Sequence, residues 1–355
     1  MAETQGKLLV GTAKGLFILD RGGDGWRMTG PHFSGRSVYA AMLDRRAGRD
    51  RIWAAATSWH FGAELVFSDD NGATWDMPEE MRIKFPEDTE KSLENIWQIA
   101  TGADDDTLYV GAAPAAVFES HDNGATWSLN RGLWDHPHRP EWQPGFGGLA
   151  VHTIVTDAED VNSLKIAIST GGVYLSSDKG ATWNVSNTGV KAYFLPDPFP
   201  EFGQCVHKIA RHPTKKDTFF LQNHHGVYRS RDGAKTWEEI ESGLPSNFGF
   251  PVTVTESGSV HIIPLKADGE RYTCEGKLRV YRSRDEGDSW EPLVNGLPQS
   301  DAFEVILRDA MHSAGDEVYF GTKNGKLFGT RDDGDSWEMI QGSLPEINCV
   351  RIYRR

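Results

Sequence analysis

Ser176-Ser177-Asp178-Lys179-Gly180-Ala181-Thr182-Trp183 has the form of a tight turn with a tryptophan behind it, and it is one of six such stretches. The frame Ser/Thr-x-Asp-x-Gly-x-Thr/Ser-Trp returns at 68–75, 120–127, 230–237, 283–290 and 330–337, with Ala234 in the glycine place of one copy. A worn seventh copy ends at Trp26. The tryptophans at 26, 75, 127, 183, 237, 290 and 337 fall 47 to 56 residues apart, close to the period of four-stranded propeller blades. The expectation is an all-β chain forming one seven-bladed β-propeller over residues 1–355.

Each part of the repeated frame, the Asp box, has a local reason. The Asp carboxylate is expected to accept hydrogen bonds from backbone N–H groups two or three residues on, and Gly takes the positive φ that the reversal needs. The indole, buried between neighbouring blades, contributes about 2–3 kcal/mol by area arithmetic. Turns spread around a ring cannot converge on one substrate, so these aspartates read as scaffold.

Between the boxes lie short strands, lettered A to D from the axis outward. In the second period Val38 to Leu43, Arg51 to Thr57 and Glu64 to Ser68 supply A, B and C, and D starts at Thr74. Later A strands are expected near Ile96, Val151, Val206, Pro251 and Phe303. The first period has no A strand, whereas Cys349-Val350-Arg351-Ile352-Tyr353 is an apolar strand without a sheet. Pairing the two builds blade 1 from residues 7–28 plus 347–354 and removes open sheet edges.

Composition excludes several partners. A net charge of −14 over 355 residues disfavours nucleic acid, whose backbone asks for a surplus of Lys and Arg. No apolar run reaches membrane-spanning length, and the start lacks a signal-peptide pattern, so a cytoplasmic location is expected. Cys205, Cys274 and Cys349 are odd in number and widely spaced, without a disulfide framework. Gly11-Thr12-Ala13-Lys14-Gly15 lacks P-loop spacing and reads as a B–C turn.

The boxes occupy the C–D turns, so function belongs on the opposite face, formed by the D–A and B–C loops. Three D–A loops, 78–94, 128–148 and 184–203, and a B–C insertion at 266–277 are long and rich in Pro or aromatics. His152 and His207 each stand one residue into an A strand, and Gln222-Asn223-His224-His225 ends a B strand at the same level. The equivalent ring positions read Tyr39, Trp97, His152, His207, Val, Glu304 and Val. His152, His207 and His224 form a candidate set for Zn, Fe or Cu, with Glu304 or His60 as acid–base groups. Each histidine taken singly also suits a packing role. Trp59, Trp97, Trp134, Arg139, Trp142, Gln222 and Asn223 are candidate substrate-binding residues, joined by Phe61, Phe146, Tyr193 and Phe194 as stacking platforms. Asp135, Glu141, Asp197 and Glu201 are candidate carboxylates for glycoside hydrolysis, which needs two carboxyl groups flanking the bond. Alternatively, Trp134 and Trp142 form the small core of a lid.

The boxes make the chain similar to the BNR or Asp-box repeat proteins, whose propellers include sialidases, xyloglucanases, sortilin and a photosystem II assembly factor. A sialidase would imply a Phe/Tyr-Arg-Ile-Pro element, and the nearest string here is Met81-Arg82-Ile83-Lys84. Xyloglucanases resemble two such propellers facing each other, and this chain has one. The strings HPHRPEWQPGFGGL, FLPDPFPEFGQCVHK and QNHHGVYRS also resemble a bacterial group labelled sialidase-like or glycosyl-hydrolase-like. Three functions stay open at the sequence level. They are a metal-dependent hydrolase, lyase or oxidoreductase acting on a polar small molecule or glycan, a glycosidase or glycan-binding protein, and a scaffold for a protein partner.

Overall fold

A computed structural model describes residues 6–60, 62–267 and 269–354, so Phe61 lies outside the described residues. Seven antiparallel sheets follow one another along the chain, six of four strands and one of three. Neighbouring A strands touch around the ring, and six apolar clusters fill the gaps between blades. One cluster joins Tyr109 and Val117 of blade 3 to Ile154 and Ile166 of blade 4. The core is thus distributed between sheets, as stacked repeats require. Blade 2 keeps only a bridge between Phe67 and Asp76 in place of strand D. Among the described residues no helix is long and apolar enough to cross a membrane.

Blade 1 closes as the sequence implies. Strand Gly6–Thr12 pairs on one side with Gly15–Gly22 and on the other with Ile347–Arg354, which occupies the innermost position.

The Asp boxes are turns; the expected bond from an amide three residues on is present at Asp232, from Lys235 at 3.0 Å, and the carboxylates also reach the fourth residue. Asp178 accepts from the Thr182 amide at 2.9 Å and hydroxyl at 2.6 Å, four residues on. The Ser176 hydroxyl donates to Asp178 at 2.7 Å and accepts from the Gly180 amide at 2.8 Å. The longer span arises because two successive residues are left-handed, Lys179 at φ 60° and Gly180 at φ 87°, which swings the fourth amide back over the carboxylate. The tryptophans staple each blade to the one before. Trp183 Nε1 donates to Asn130 Oδ1 at 3.1 Å, Trp237 to the Ser186 carbonyl at 3.0 Å and Trp290 to the Ile240 carbonyl at 2.7 Å.

Strand A is interrupted near the top of every blade from 2 to 6. Register shifts fall between Val38 and Ala40, Ile96 and Gln98, Val151 and Thr153, Val206 and Lys208, and Gly249 and Val252. The residues left out of the ladder are Tyr39, Trp97, His152, His207 and the pair Phe250-Pro251. A bulge frees a side chain from the alternation of its strand. Blade 7 departs from expectation, because its A strand is Met311–Ala314 and not a strand near Phe303. Residues 303–308 are drawn out of the sheet by the B–C segments of blades 6 and 7. The Thr273 amide donates to the Glu304 carbonyl at 3.1 Å and the Lys323 amide to that of Val305 at 2.9 Å.

Candidate functional site

On the face opposite the boxes, the loops roof a cavity of about 690 Å³. Its roof comes from Glu141 to Gly147 and from Phe194, Leu195 and Phe202, its side from Arg271 on the B–C insertion, and its floor from His207, Phe250 and Arg308. That volume lies in the range usual for small-molecule sites. A polar furrow of about 550 Å³ at the seam of blades 1 and 7 differs in kind. There Arg21 and Glu317 face each other in a two-pronged ion pair at 2.7 and 2.8 Å, so the charges serve the seam.

The roof is held by its own packing. Trp142 is buried and donates from Nε1 to the Tyr174 hydroxyl at 3.0 Å, while His138 meets the same hydroxyl at 3.1 Å and stacks on Phe202 at 4.1 Å. Trp134 packs on Phe85, and the Arg139 guanidinium lies over its ring at 3.4 Å. Both tryptophans and Arg139 therefore build the lid, and the cavity is lined by their neighbours. Loop 78–94 packs under this lid through Met81, Ile83 and Phe85 and does not reach the cavity.

One wall carries sulfur and nitrogen. The bulge at His207 and a backbone bond from the His224 amide to the Cys205 carbonyl, 2.9 Å, bring three side chains together. Cys205 Sγ stands 3.6 Å from His207 Nε2, and one ligand atom from each of Cys205, His207 and His224 falls within 4.8 Å of the others. His207 Nδ1 donates to the Gly249 carbonyl at 2.5 Å. Burial holds the His207 imidazole well below its usual pKa and pushes the Cys205 thiol up, so both rest neutral. Among the described residues this is the group of three or more ligating side chains close enough to share an ion. His152 is outside it. That ring is fully buried at the next bulge, with Nδ1 against Thr153 Oγ1 at 3.2 Å, and burial likewise keeps it neutral.

The floor carries positive charge. Arg308 crosses the channel mouth to lie 5.1 Å over the Trp97 ring, which in turn packs on Tyr39 at 4.8 Å. Its Nη1 is buried without a hydrogen-bond partner, and among the described carboxylates none pairs with it. The adjacent Asp309 is already committed to Lys208 at 2.7 Å and Arg351 at 2.6 Å, and these two cations hold its carboxyl low against the opposing effect of burial. Arg271 lies 5.3 Å over Phe146 and 5.8 Å over Phe250.

Other predicted site residues lie elsewhere. Trp59 and His60 meet at a tilt, ring centroids 4.3 Å apart, on an exposed hairpin of blade 2 and do not line the cavity. Glu304 is not on a strand. It is buried and paired with Lys326 at 2.7 Å behind the insertion. Gln222 and Asn223 are buried and hold backbone carbonyls, Gln222 that of Asn247 at 3.0 Å and Asn223 that of Lys191 at 2.8 Å. Of the four loop carboxylates, Glu141 alone lines the cavity. Asp135 faces Arg131, Asp197 caps the Phe199 amide at 2.9 Å, and Glu201 is exposed. Sequence reasoning missed Arg271 and Arg308. For Arg308 the repeat spacing carried no signal, because the Trp290–Trp337 interval of 47 is the shortest in the chain although its later strand A leaves a fourth long D–A loop.

Fold and cavity together define a seven-bladed β-propeller with a loop-roofed site at one end of its axis, and the chain is similar to several propeller proteins. The family model Sortilin-Vps10 (sortilin, neurotensin receptor 3) matches residues 171–299. The xyloglucanase of Hypocrea jecorina (strain QM6a) is 24% identical over 269 residues, covering 75% of this chain and 26% of its own length. The oligoxyloglucan-reducing end-specific xyloglucanase of Emericella nidulans is 25% identical over 234 residues, covering 57% and 28%. The chain thus spans about a quarter of the length of the curated relatives it matches. Among solved structures, an ancestral GH74 enzyme is similar with a TM-score of 0.58 at 15% identity over 85% of this chain and 38% of that one. YCF48 bound to D1 peptide is similar with a TM-score of 0.55 at 14% identity, covering 86% and 82%.

Proposed function

We propose that the protein is a carbohydrate-active enzyme whose ligand is a small acidic sugar, held with its carboxylate on Arg308 beneath the lid. The observation that carries this reading is Arg308 itself, a cation at the floor of a cavity with no carboxylate paired to it, in a chain of net charge −14. A guanidinium with a buried, unused N–H is costly unless a ligand oxygen satisfies it, and carboxylates match its geometry. Phe146 and Phe194 supply apolar faces for a sugar ring at the same mouth. Kinship with xyloglucanases supports the carbohydrate class. Differential scanning fluorimetry with glucuronate and with glucose, at matched ionic strength, tests the reading. Stabilisation by the acid alone, lost in Arg308→Met, is the expected result, and an equal response to both sugars overturns it.

Glycoside hydrolysis is the second reading, and Glu141 favours it as the one carboxylate on the described cavity wall. Hydrolysis by a carboxyl pair needs a partner across the bond. Glu141→Gln is expected to abolish release of nitrophenol from aryl glycosides at the cavity, and retention of that activity rejects Glu141 as the acid–base group.

A further inference from the structure

We propose that Cys205, His207 and His224 bind one zinc-type divalent ion, with its fourth position open to the cavity. The site uses residues other than Arg308, so it stands or falls separately from the acidic-sugar reading.

Two ligand atoms on a tetrahedral ion, with Zn–S of about 2.3 Å and Zn–N of about 2.0–2.1 Å, stand about 3.5 Å apart. Cys205 Sγ and His207 Nε2 are 3.6 Å apart, already at that spacing. A ligand nitrogen of His224 lies within 4.8 Å of both and completes the triangle. The tautomer is set in advance, because the Nδ1–H of His207 is given to the Gly249 carbonyl and Nε2 presents its lone pair. A backbone carbonyl on the far nitrogen is the usual support for a ligating imidazole. The backbone bond from His224 to Cys205 fixes the two strand ends that carry the outer ligands.

The donor set selects the metal. One sulfur and two imidazoles suit borderline ions such as Zn²⁺ and Co²⁺, while Mg²⁺ and Ca²⁺ ask for oxygen. Three protein ligands with an open fourth position are the pattern of sites where the ion meets a ligand. On binding, the S–H bond breaks, a sulfur–metal bond forms and the proton passes to buffer. Two neutral imidazoles add no charge, which leaves the site with one net positive charge beside Arg308.

The test uses the full-length protein stripped with chelator and titrated with Co²⁺. One ion per chain is expected, with the visible bands of a tetrahedral centre and a near-ultraviolet sulfur-to-cobalt band, both removed by added Zn²⁺. Cys205→Ser is expected to lose the sulfur band and to weaken binding at least about a hundredfold. His152→Asn is expected to retain both, and the melting temperature of each apo variant checks that it folds. A cobalt spectrum without the sulfur band, a spectrum unchanged in Cys205→Ser, or no stoichiometric uptake overturns the proposal.

Discussion

Thr74 does two jobs for Asp70, giving its amide to one carboxylate oxygen at 2.8 Å and its hydroxyl to the other at 2.6 Å. These bonds favour the charged form, and with Ser68 they bring the Asp70 carboxyl down to about 2. The Thr182 bonds likewise lower the Asp178 carboxyl. At Asp122, Asp232, Asp285 and Asp332 partial burial pushes upward and is outweighed by the hydroxyl and amide bonds. A carboxyl depressed on folding contributes stability above its unfolded pKa of about 3.9 and loses it as pH falls through the folded value. The melting temperature is therefore expected to fall steeply between about pH 4 and pH 2, and Thr74→Val is expected to raise the Asp70 pKa in a carboxyl-carbon NMR titration. The staple can be weighed in the same way. Trp237→Ala is expected to cost about 3–5 kcal/mol in denaturant unfolding, whereas Trp237→Phe keeps much of the ring burial while losing the bond to Ser186. The turn was legible in the sequence because serine, aspartate, glycine and threonine each leave a chemical trace. The further reach to the fourth residue was not, since it depends on two left-handed residues in succession.

Strand A is the element that turns scaffold into site. Its bulge near the top of blades 2 to 6 points Tyr39, Trp97, His152, His207 and Phe250 away from the ladder, and a repeat count alone located the first four. Blade 7 escaped because Phe303-Glu304-Val305-Ile306-Leu307 is rich in the β-branched and aromatic residues of strands, whereas Met311-His312-Ser313-Ala314 is not. The choice between them is made by bonds to Thr273 and Lys323, and no local pattern carries that information. With strand A moved to Met311–Ala314, Arg308 passes from the end of the expected strand to a loop at the cavity floor. Cys205 is a related case: standing two residues before His207 it makes a Cys/His pairing conceivable from the sequence, and the bulge brings the two side chains to 3.6 Å. The lid is legible in composition, since a Pro-rich loop with two tryptophans must pack on something, but which side of each indole is wet is a tertiary fact. Removing Trp142 should loosen that element without opening the ring. In Trp142→Ala, backbone amides of residues 131–150 are expected to exchange faster by mass spectrometry while the blade strands keep their protection. Unchanged exchange there would mean that the loop is held by other groups.

At the scale of the whole molecule, the ring depends on one long-range pairing. Strand Ile347–Arg354 supplies the inner edge of blade 1, its Cys349 side chain is buried against blade 2, and Arg351 holds Asp309 of blade 7. Three blades therefore lose contacts together if it is absent. Truncation after Glu346 is expected to yield a chain without a co-operative thermal transition and with an enlarged radius by light scattering. A truncated chain that still melts sharply would show that six blades suffice.

The same pairing joins residues more than 330 positions apart, and this matters when the chain is made. Strand Gly6–Thr12 leaves the ribosome more than 330 residues ahead of strand Ile347–Arg354, with one flank lacking its partner. At about 5–20 residues per second that flank waits roughly twenty seconds to a minute for the final strand. During translation the nascent protein thus carries an apolar, unpaired β-edge, and it depends on chaperones or on low local concentration until strand Ile347–Arg354 has emerged.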